Sequence, residues 1–372
     1  MNRDMDQTRL LAWLRENDPA RLEALWRLAD DTRRAGVGNA VHLRGLIEIS
    51  NHCVRQCAYC GLRAGNRALA RYRMNETEIV AAARQACALG YGTVVLQAGE
   101  DTGLEGHWVA RVVRRIKTET GLAVTLSLGE RTEAEWAQWR EAGADRYLLR
   151  FETSDRALFE AIHPGRGGPP ADRLAMLARL RQLGYEIGSG IMIGIPGQTF
   201  ESVARDLQLF RELDLDMIGI GPYIPHPDTP LGRGRVSTAP AGEQVPNVEG
   251  MVYKVLALAR LLCPEANIPS TTALATINKR DGRELGLQRG GNVWMPNLTP
   301  MPYRRLYQIY PAKACLEETA DAADRRLRER LAALGRQAGC GPGSRKPAAD
   351  GAAKPTAAAP APAAQVLQCC ER

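Results

Sequence analysis

Residues 45–61 read GLIEISNHCVRQCAYCG, and the fold is decided here. Gly45–Ser50 is a short apolar run of strand character, followed by Cys53, Cys57 and Cys60 in CxxxCxxC spacing. Three soft thiolates in one loop suit zinc or an iron–sulfur cluster. Structural zinc takes four closed ligands, and no second Cys or His pair stands at zinc-finger spacing, although the adjacent His52 is a conceivable fourth ligand. A cubic iron–sulfur cluster normally takes four cysteines, so three would leave one iron open to a chelating small molecule.

Outward from this loop, strand-like and helix-like segments alternate. Strands are predicted at 45–50, Thr93–Ala98, Ala123–Leu128, Arg146–Glu152, Ile187–Ile195, Met217–Pro222, Ile268–Ala273 and Val293–Pro296. Helical spacing occupies 75–89, 107–118, 132–142, 154–162, 171–183, 199–213, 248–262 and 281–289. Strands alternating with helices of this length pair in parallel. Eight such units in one run predict an α/β fold, a full (β/α)8 TIM barrel over residues 41–318. Residues 1–40 form an N-terminal helical extension, with Asp18 and Pro19 starting its second helix. A C-terminal helix is expected over 319–340, and a disordered Ala/Pro-rich tail over 341–372, where almost no side chain could enter a core. Loops after barrel strands face the catalytic end, which places the cysteine loop there.

Composition narrows the function. Of 372 residues 45% are hydrophobic, which excludes wholesale disorder. The net charge is +7, of which residues 325–372 carry +6. Charge confined to one terminal helix and tail is not the basic stripe of a nucleic-acid binder, so no nucleic-acid partner is expected. No apolar run approaches 18 residues, and neither a membrane partner nor a secretory leader is expected. Nine cysteines, an odd number with three clustered, read as thiols of a reducing, cytoplasmic compartment.

The loop, with Tyr59 at its penultimate position, resembles that of the radical S-adenosylmethionine (SAM) superfamily. The segments YCGLRAGN (59–66), RYRM (71–74), VVLQAGED (94–101), VTLSLGE (124–130) and RYLLRFET (146–153) narrow the resemblance. So do GIPGQT (194–199), MIGIGPYIPHPDTPL (217–231), NIPSTTAL (267–274), NVWMPNLTP (292–300) and YRRLYQIYPAK (303–313). Together they are similar to the HydE family of FeFe-hydrogenase maturases over about residues 40–318. Biotin synthase and methylornithine synthase share the loop and barrel. A radical SAM carbon-skeleton or sulfur-transfer enzyme on a small amino-acid substrate is therefore the alternative.

The resemblance implies one 4Fe–4S cluster on Cys53, Cys57 and Cys60, with SAM on the open iron. An electron would cleave SAM to a 5′-deoxyadenosyl radical that acts on a cysteine-bound iron carbonyl cyanide precursor of the hydrogenase two-iron subcluster. It implies SAM contacts at Tyr59, Gln97, Ser127, Glu152 and Arg173, with Glu152 matching a ribose-binding carboxylate and Arg173 an arginine that reaches the SAM carboxylate. It places Thr125, Arg150, Thr271, Thr272 and Tyr307 around the substrate, near Tyr303 and Tyr310. A flavodoxin or ferredoxin would donate the electron, and other hydrogenase maturation proteins would be partners. Some relatives carry a second cluster at C-x7-C-x2-C spacing. Here Cys315 is followed at that spacing by Ala323 and Arg326, so no second 2Fe–2S cluster is expected. Met192, Met217 and Met295 are read as core, His226 as a loop-fixing residue, and Cys87 and Cys263 as buried helix residues.

Overall fold

In the computed structural model, which describes residues 5–168, 170–234, 239–314 and 317–345, helices α1 (Gln7–Arg15) and α2 (Pro19–Val37) precede the first strand. Asp18 caps α2, accepting a hydrogen bond from Arg21 N at 2.8 Å, and Pro19 opens the helix as expected. Then β1 (Ala40–Ser50), α3 (Glu76–Ala88), β2 (Thr93–Ala98), α4 (Gly106–Thr120), β3 (Ala123–Ser127), α5 (Glu133–Glu141) and β4 (Arg146–Leu148) alternate. The series continues with α6 (Arg156–Ile162), α7 (Arg173–Gln182), β5 (Glu186–Ile193), α8 (Phe200–Glu212), β6 (Met217–Pro222) and α9 (Glu249–Leu262). It ends with α10 (Thr272–Ile277), α11 (Gly282–Gln288), β7 (Val293–Trp294), α12 (Met301–Arg304), α13 (Ala320–Ala333) and β8 (Gln337–Gly339).

Every strand pairing is parallel, along the path β6-β5-β4-β3-β2-β1-β7, with β8 beside β1. This is an α/β fold with a curved parallel sheet wrapped by helices. Alternate residues of a strand share a face. Arg44 reaches Met217 Sδ across the interior at 2.8 Å, and Arg146 reaches Thr93 Oγ1 at 3.1 Å. Those contacts mark the inner face, which therefore carries Glu48, Gln97, Thr125, Ser127 and Arg150 toward the strands' carboxyl ends. On the outside, α9 is buried from Met251 to Leu262 because α1, α2 and α8 lie over its far side. A helix apolar all round needs such a second cover. Its two buried cations are satisfied by carbonyls and an amide: Lys254 donates to Leu14 O and Glu16 O, and Arg260 to Gly290 O, Pro264 O and Asn292 Oδ1. No helix among the described residues is long and apolar enough to cross a membrane.

The structure corrects several expected boundaries. The fourth strand stops at Leu148, because Phe151 N bonds the Ser189 hydroxyl and Glu152 turns left-handed at φ 62°. The seventh expected strand, Ile268–Ala273, reduces to single parallel bridges, Met217↔Asn267 and Pro269↔Val293. Pro269 has no N–H for a ladder, and the chain enters α10 at Thr272. These bridges lie between β6 and β7, the two ends of the seven-strand path, where a further regular strand of the expected full barrel does not form; the eighth strand of the sheet, β8, lies off that path on β1. The C-terminal helix ends at Ala333, and β8 follows it onto the start of β1. Residues 341–345 are not loose: Pro342 O accepts from Thr93 and Arg146, Gly343 O from Arg44 and Asn267, and Arg345 pairs with Asp214. The remainder of the expected tail, with Cys369 and Cys370, lies outside the described residues, as does Cys315.

Candidate active site

The cysteine loop leaves β1 at Ser50 and crosses the carboxyl ends of the strands. Val54 N bonds Glu100 O, and Ala58 N bonds Ile162 O at 2.7 Å, tying it to the β2–α4 and α6–α7 connections. Gly99 is required by close approach: a Cβ there would stand 2.8 Å from Cys53 Cβ and 2.3 Å from His52 O. Cys57 is buried, and Cys53 and Cys60 are partly covered. Burial pushes all three thiols up, Cys60 to about 12, and the charges of Cys53 and Cys60 raise Cys57 further. Sulfurs that suppress one another's ionisation suit a shared cation, because bound iron makes thiolates the favoured form. This donor set fits an iron–sulfur cluster held by three cysteines.

Beneath Cys57 lies a buried network that the sequence reading did not see. His163 Nδ1 is 3.0 Å from Cys57 Sγ, and His163 Nε2 is 2.9 Å from Arg173 Nη2. Glu130 Oε1 stands 3.4 Å from the same nitrogen, so Nε2 accepts from Arg173 when bare and donates to Glu130 when protonated. Arg173 also donates to Glu130 Oε1 at 2.9 Å and Arg150 O at 2.6 Å, and it lies over the Phe159 ring. Arg55 joins Glu130 to Glu100. Burial pushes Glu130 up, but His163, Arg173 and Arg55 around it outweigh that and hold its carboxyl at about 2. Burial keeps His163 below its ordinary value. The only hint of this role in the sequence is a histidine at the end of α6, opening the Gly/Pro-rich segment HPGRGGPP.

The other expected residues divide into two groups. Glu152 sits beside the loop with Oε2 3.0 Å from Arg150 Nη2 but outside hydrogen-bond geometry. Thr125 Oγ1, Thr271 Oγ1 and, not anticipated, Tyr223 OH are buried hydroxyls without a partner among the described residues. Such atoms are rare unless a ligand or water meets them. Gly219 and Gly221 form an open wall opposite, where a Cβ would meet nothing nearer than 3.5 Å. Gln97 Nε2 donates to the buried Tyr307 hydroxyl at 3.1 Å. Tyr59 packs against a small apolar cluster that includes Leu158, Met192 and Tyr223, and Ser127 ends β3 on the same face as Thr125. By contrast the Thr272 hydroxyl accepts from Arg283 at 2.7 Å, and Tyr303 bonds Glu78 and stacks on Tyr72. These two are engaged by the protein itself. His226 Nδ1 accepts from Asp228 N, the loop-fixing contact expected.

The Glu152 turn is pinned from behind. Ser154 N donates to Asp206 Oδ1 at 2.6 Å, while Asp206 Oδ2 is buried without a partner among the described residues. Burial pushes Asp206 up to about 7, against 3.8 for an ordinary aspartate, with Asp155 adding to the rise and Arg205 opposing it. A carboxyl with a raised folded pKa costs nothing below pH 4 and destabilises progressively as pH climbs to about 7. Asp206→Asn keeps the acceptor and removes the charge. Thermal unfolding should show it more stable than the parent at pH 8, by about 2–4 kcal/mol, with the gap closing as pH falls toward 4. A gap independent of pH would exclude Asp206 as its source.

Residues 47–225 match the Radical SAM superfamily. Over 330 residues the chain is 47% identical to the [FeFe] hydrogenase maturase subunit HydE of Thermotoga maritima, covering 89% of this chain and 91% of that one. It is 29% identical to 3-methylornithine synthase of Methanosarcina acetivorans over 83% of this chain and 80% of that one. The crystal structure of methylornithine synthase (PylB) superposes with a TM-score of 0.76 at 25% identity, covering 90% of this chain and 94% of the other.

Proposed function

Because the chain belongs to the HydE family of radical SAM hydrogenase maturases, we propose that it acts in assembly of the two-iron subcluster of FeFe-hydrogenase, on a cysteine-bound iron carbonyl cyanide precursor. The observation carrying this reading is the Cys53–Cys60 loop, seated where orphaned buried hydroxyls and Glu152 converge. Cys53, Cys57 and Cys60 would hold one 4Fe–4S cluster, which supplies the electron that splits SAM into methionine and a 5′-deoxyadenosyl radical. Glu152, an acceptor-only carboxylate, suits the ribose hydroxyls of SAM. Gln97, Ser127 and Tyr59 surround the same space. Thr125, Thr271 and Tyr307 offer neutral hydroxyls to an anionic iron species, and Arg150 offers charge.

Arg173 takes a different part from the one first expected. Its three nitrogens are all used, on Glu130, Arg150 O and His163. In this reading it orients His163 under Cys57, and contact with the SAM carboxylate would require it to leave these partners. The bridges at Asn267 and Pro269 would serve as the eighth stave of a closed barrel, keeping water from the radical. We place the protein in the cytoplasm, working with other maturation proteins. It carries a single cluster, since Ala323 and Arg326 replace two of the three outer ligands.

The alternative, a methylornithine synthase-like or biotin synthase-like reaction, has more distant support. Anaerobic reconstitution should give about four irons per protomer, and the reduced protein with SAM should release 5′-deoxyadenosine. A maturation mixture lacking this protein should yield inactive hydrogenase. About six irons would show that outer ligands were overlooked, and full hydrogenase activity in its absence would end the maturase reading.

A further inference from the structure

We infer that the surface formed by residues 63–73, lying over the cysteine loop, is the docking face for an acidic protein that delivers single electrons; this rests on the radical SAM reading above. From Asn51 to Asn75 the chain holds five arginines, at 55, 63, 67, 71 and 73, and no Asp or Glu. Arg55 is buried and spent on Glu100 and Glu130, and Arg73 pairs with Asp101. Arg71 donates to four backbone carbonyls, of Asn51, Leu62, Arg63 and Asn66, so its charge is held but not cancelled. Arg63 is half-buried, with its Nε enclosed and its Nη2 3.4 Å from the Gln56 carbonyl, and Arg67 is exposed. Neither is in an ion pair with a carboxylate among the described residues.

Position makes this charge informative. The 63–66 turn rests on the cysteine loop: Arg63 N bonds Cys60 O, Ala64 N bonds Arg55 O at 2.8 Å, and Gly65 N bonds Gln56 Oε1. Asn66 Nδ2 bonds Gly61 O at 2.8 Å. The turn is thus bonded directly to the loop that carries the three sulfurs. Between the arginines the exposed side chains are small, at Ala64, Gly65, Ala68 and Ala70, which leaves a low surface a partner can approach closely. A basic patch steers an acidic partner and sets the orientation of a weak, short-lived complex. The step itself moves one electron from a reduced flavin or iron–sulfur centre of the donor to the cluster; the donor is oxidised by one electron, and no atom or proton is transferred.

The test measures 5′-deoxyadenosine formation by the reconstituted full-length protein, with reduced flavodoxin or with dithionite as reductant. In Arg63→Glu/Arg67→Glu the KM for flavodoxin should rise about tenfold, while the dithionite-driven rate stays within about twofold of the parent. Arg63→Gln/Arg67→Gln should fall between. Raising salt about tenfold should slow the flavodoxin reaction of the parent and leave the dithionite reaction unchanged. An unchanged KM for flavodoxin in the reversed-charge variant overturns the assignment. An equal loss with dithionite also overturns it, since the arginines would then serve the site. A parent that makes no 5′-deoxyadenosine with dithionite sinks the radical SAM reading itself, which keeps the two failures apart.

Discussion

Cys57→Ala should abolish 5′-deoxyadenosine formation and drop the iron content from about four to less than one per protomer, with the fold intact. Cys57 is the most enclosed of the three sulfurs, and it alone meets His163. Losing it leaves two thiols, which cannot retain a cube. The structural cost is small: removing one buried sulfur opens a void worth about 1 kcal/mol, and the loop stays pinned through Ala58 N to Ile162 O and Val54 N to Glu100 O. Circular dichroism and melting temperature should therefore match the parent within a few degrees. Cys87→Ala, on α3 and away from the loop, should keep cluster and activity. A Cys57→Ala protein that still binds four irons and cleaves SAM would remove this loop as the cluster site.

The second large effect is expected at Lys313→Met. Lys313 Nζ pairs with Glu48 Oε1 inside the molecule, both side chains being almost wholly buried, and it lies 4.9 Å above the Tyr307 ring. Asn297 Nδ2 donates to the other Glu48 oxygen at 3.1 Å, with Thr299 Oγ1 at 3.4 Å. Removing the cation alone strands a carboxylate in the core, which costs about 3–5 kcal/mol, or roughly 10 °C of melting temperature. Lys313→Met/Glu48→Gln removes both charges and should recover most of that loss. A single variant as stable as the parent would show that the pair carries no stability. Lys313 and Asn297 also line an outer groove of about 700 Å3.

Strong local signals made much of the fold legible. Thr93–Ala98 and Met217–Pro222 have the predicted ends, because each is a short apolar run closed by Gly, Pro or polar residues. A helix start was readable at Asp18, followed by Pro19; at α3 the helical spacing was readable, and the structure adds the Asn75–Glu78 capping box. The reading failed where an apolar run met a backbone conflict. Pro269 interrupts NIPSTTA as a strand, and Glu152 must turn left-handed to place its carboxylate. It failed again at Gln337–Gly339, three residues with no strand signal of their own, which pair only because β1 presents a free edge at Ala40–His42.

The chemistry divides along the same line. Three cysteines in eight residues announce a cluster because all the ligands lie within one short loop, and sequence spacing translates directly into spatial proximity. His163, 106 residues from Cys57, has no such local signature. Its place under the sulfur depends on α6 packing against the loop and on Arg173 holding its other nitrogen. The orphaned hydroxyls of Thr125, Thr271 and Tyr223, and the basic face over the loop, likewise exist only once separate strands and turns are brought to one end of the sheet. Ligand type is a property of side chains, which the order of residues specifies outright. Convergence, burial and the cancelling of charges are relations between distant segments, and only packing can create them.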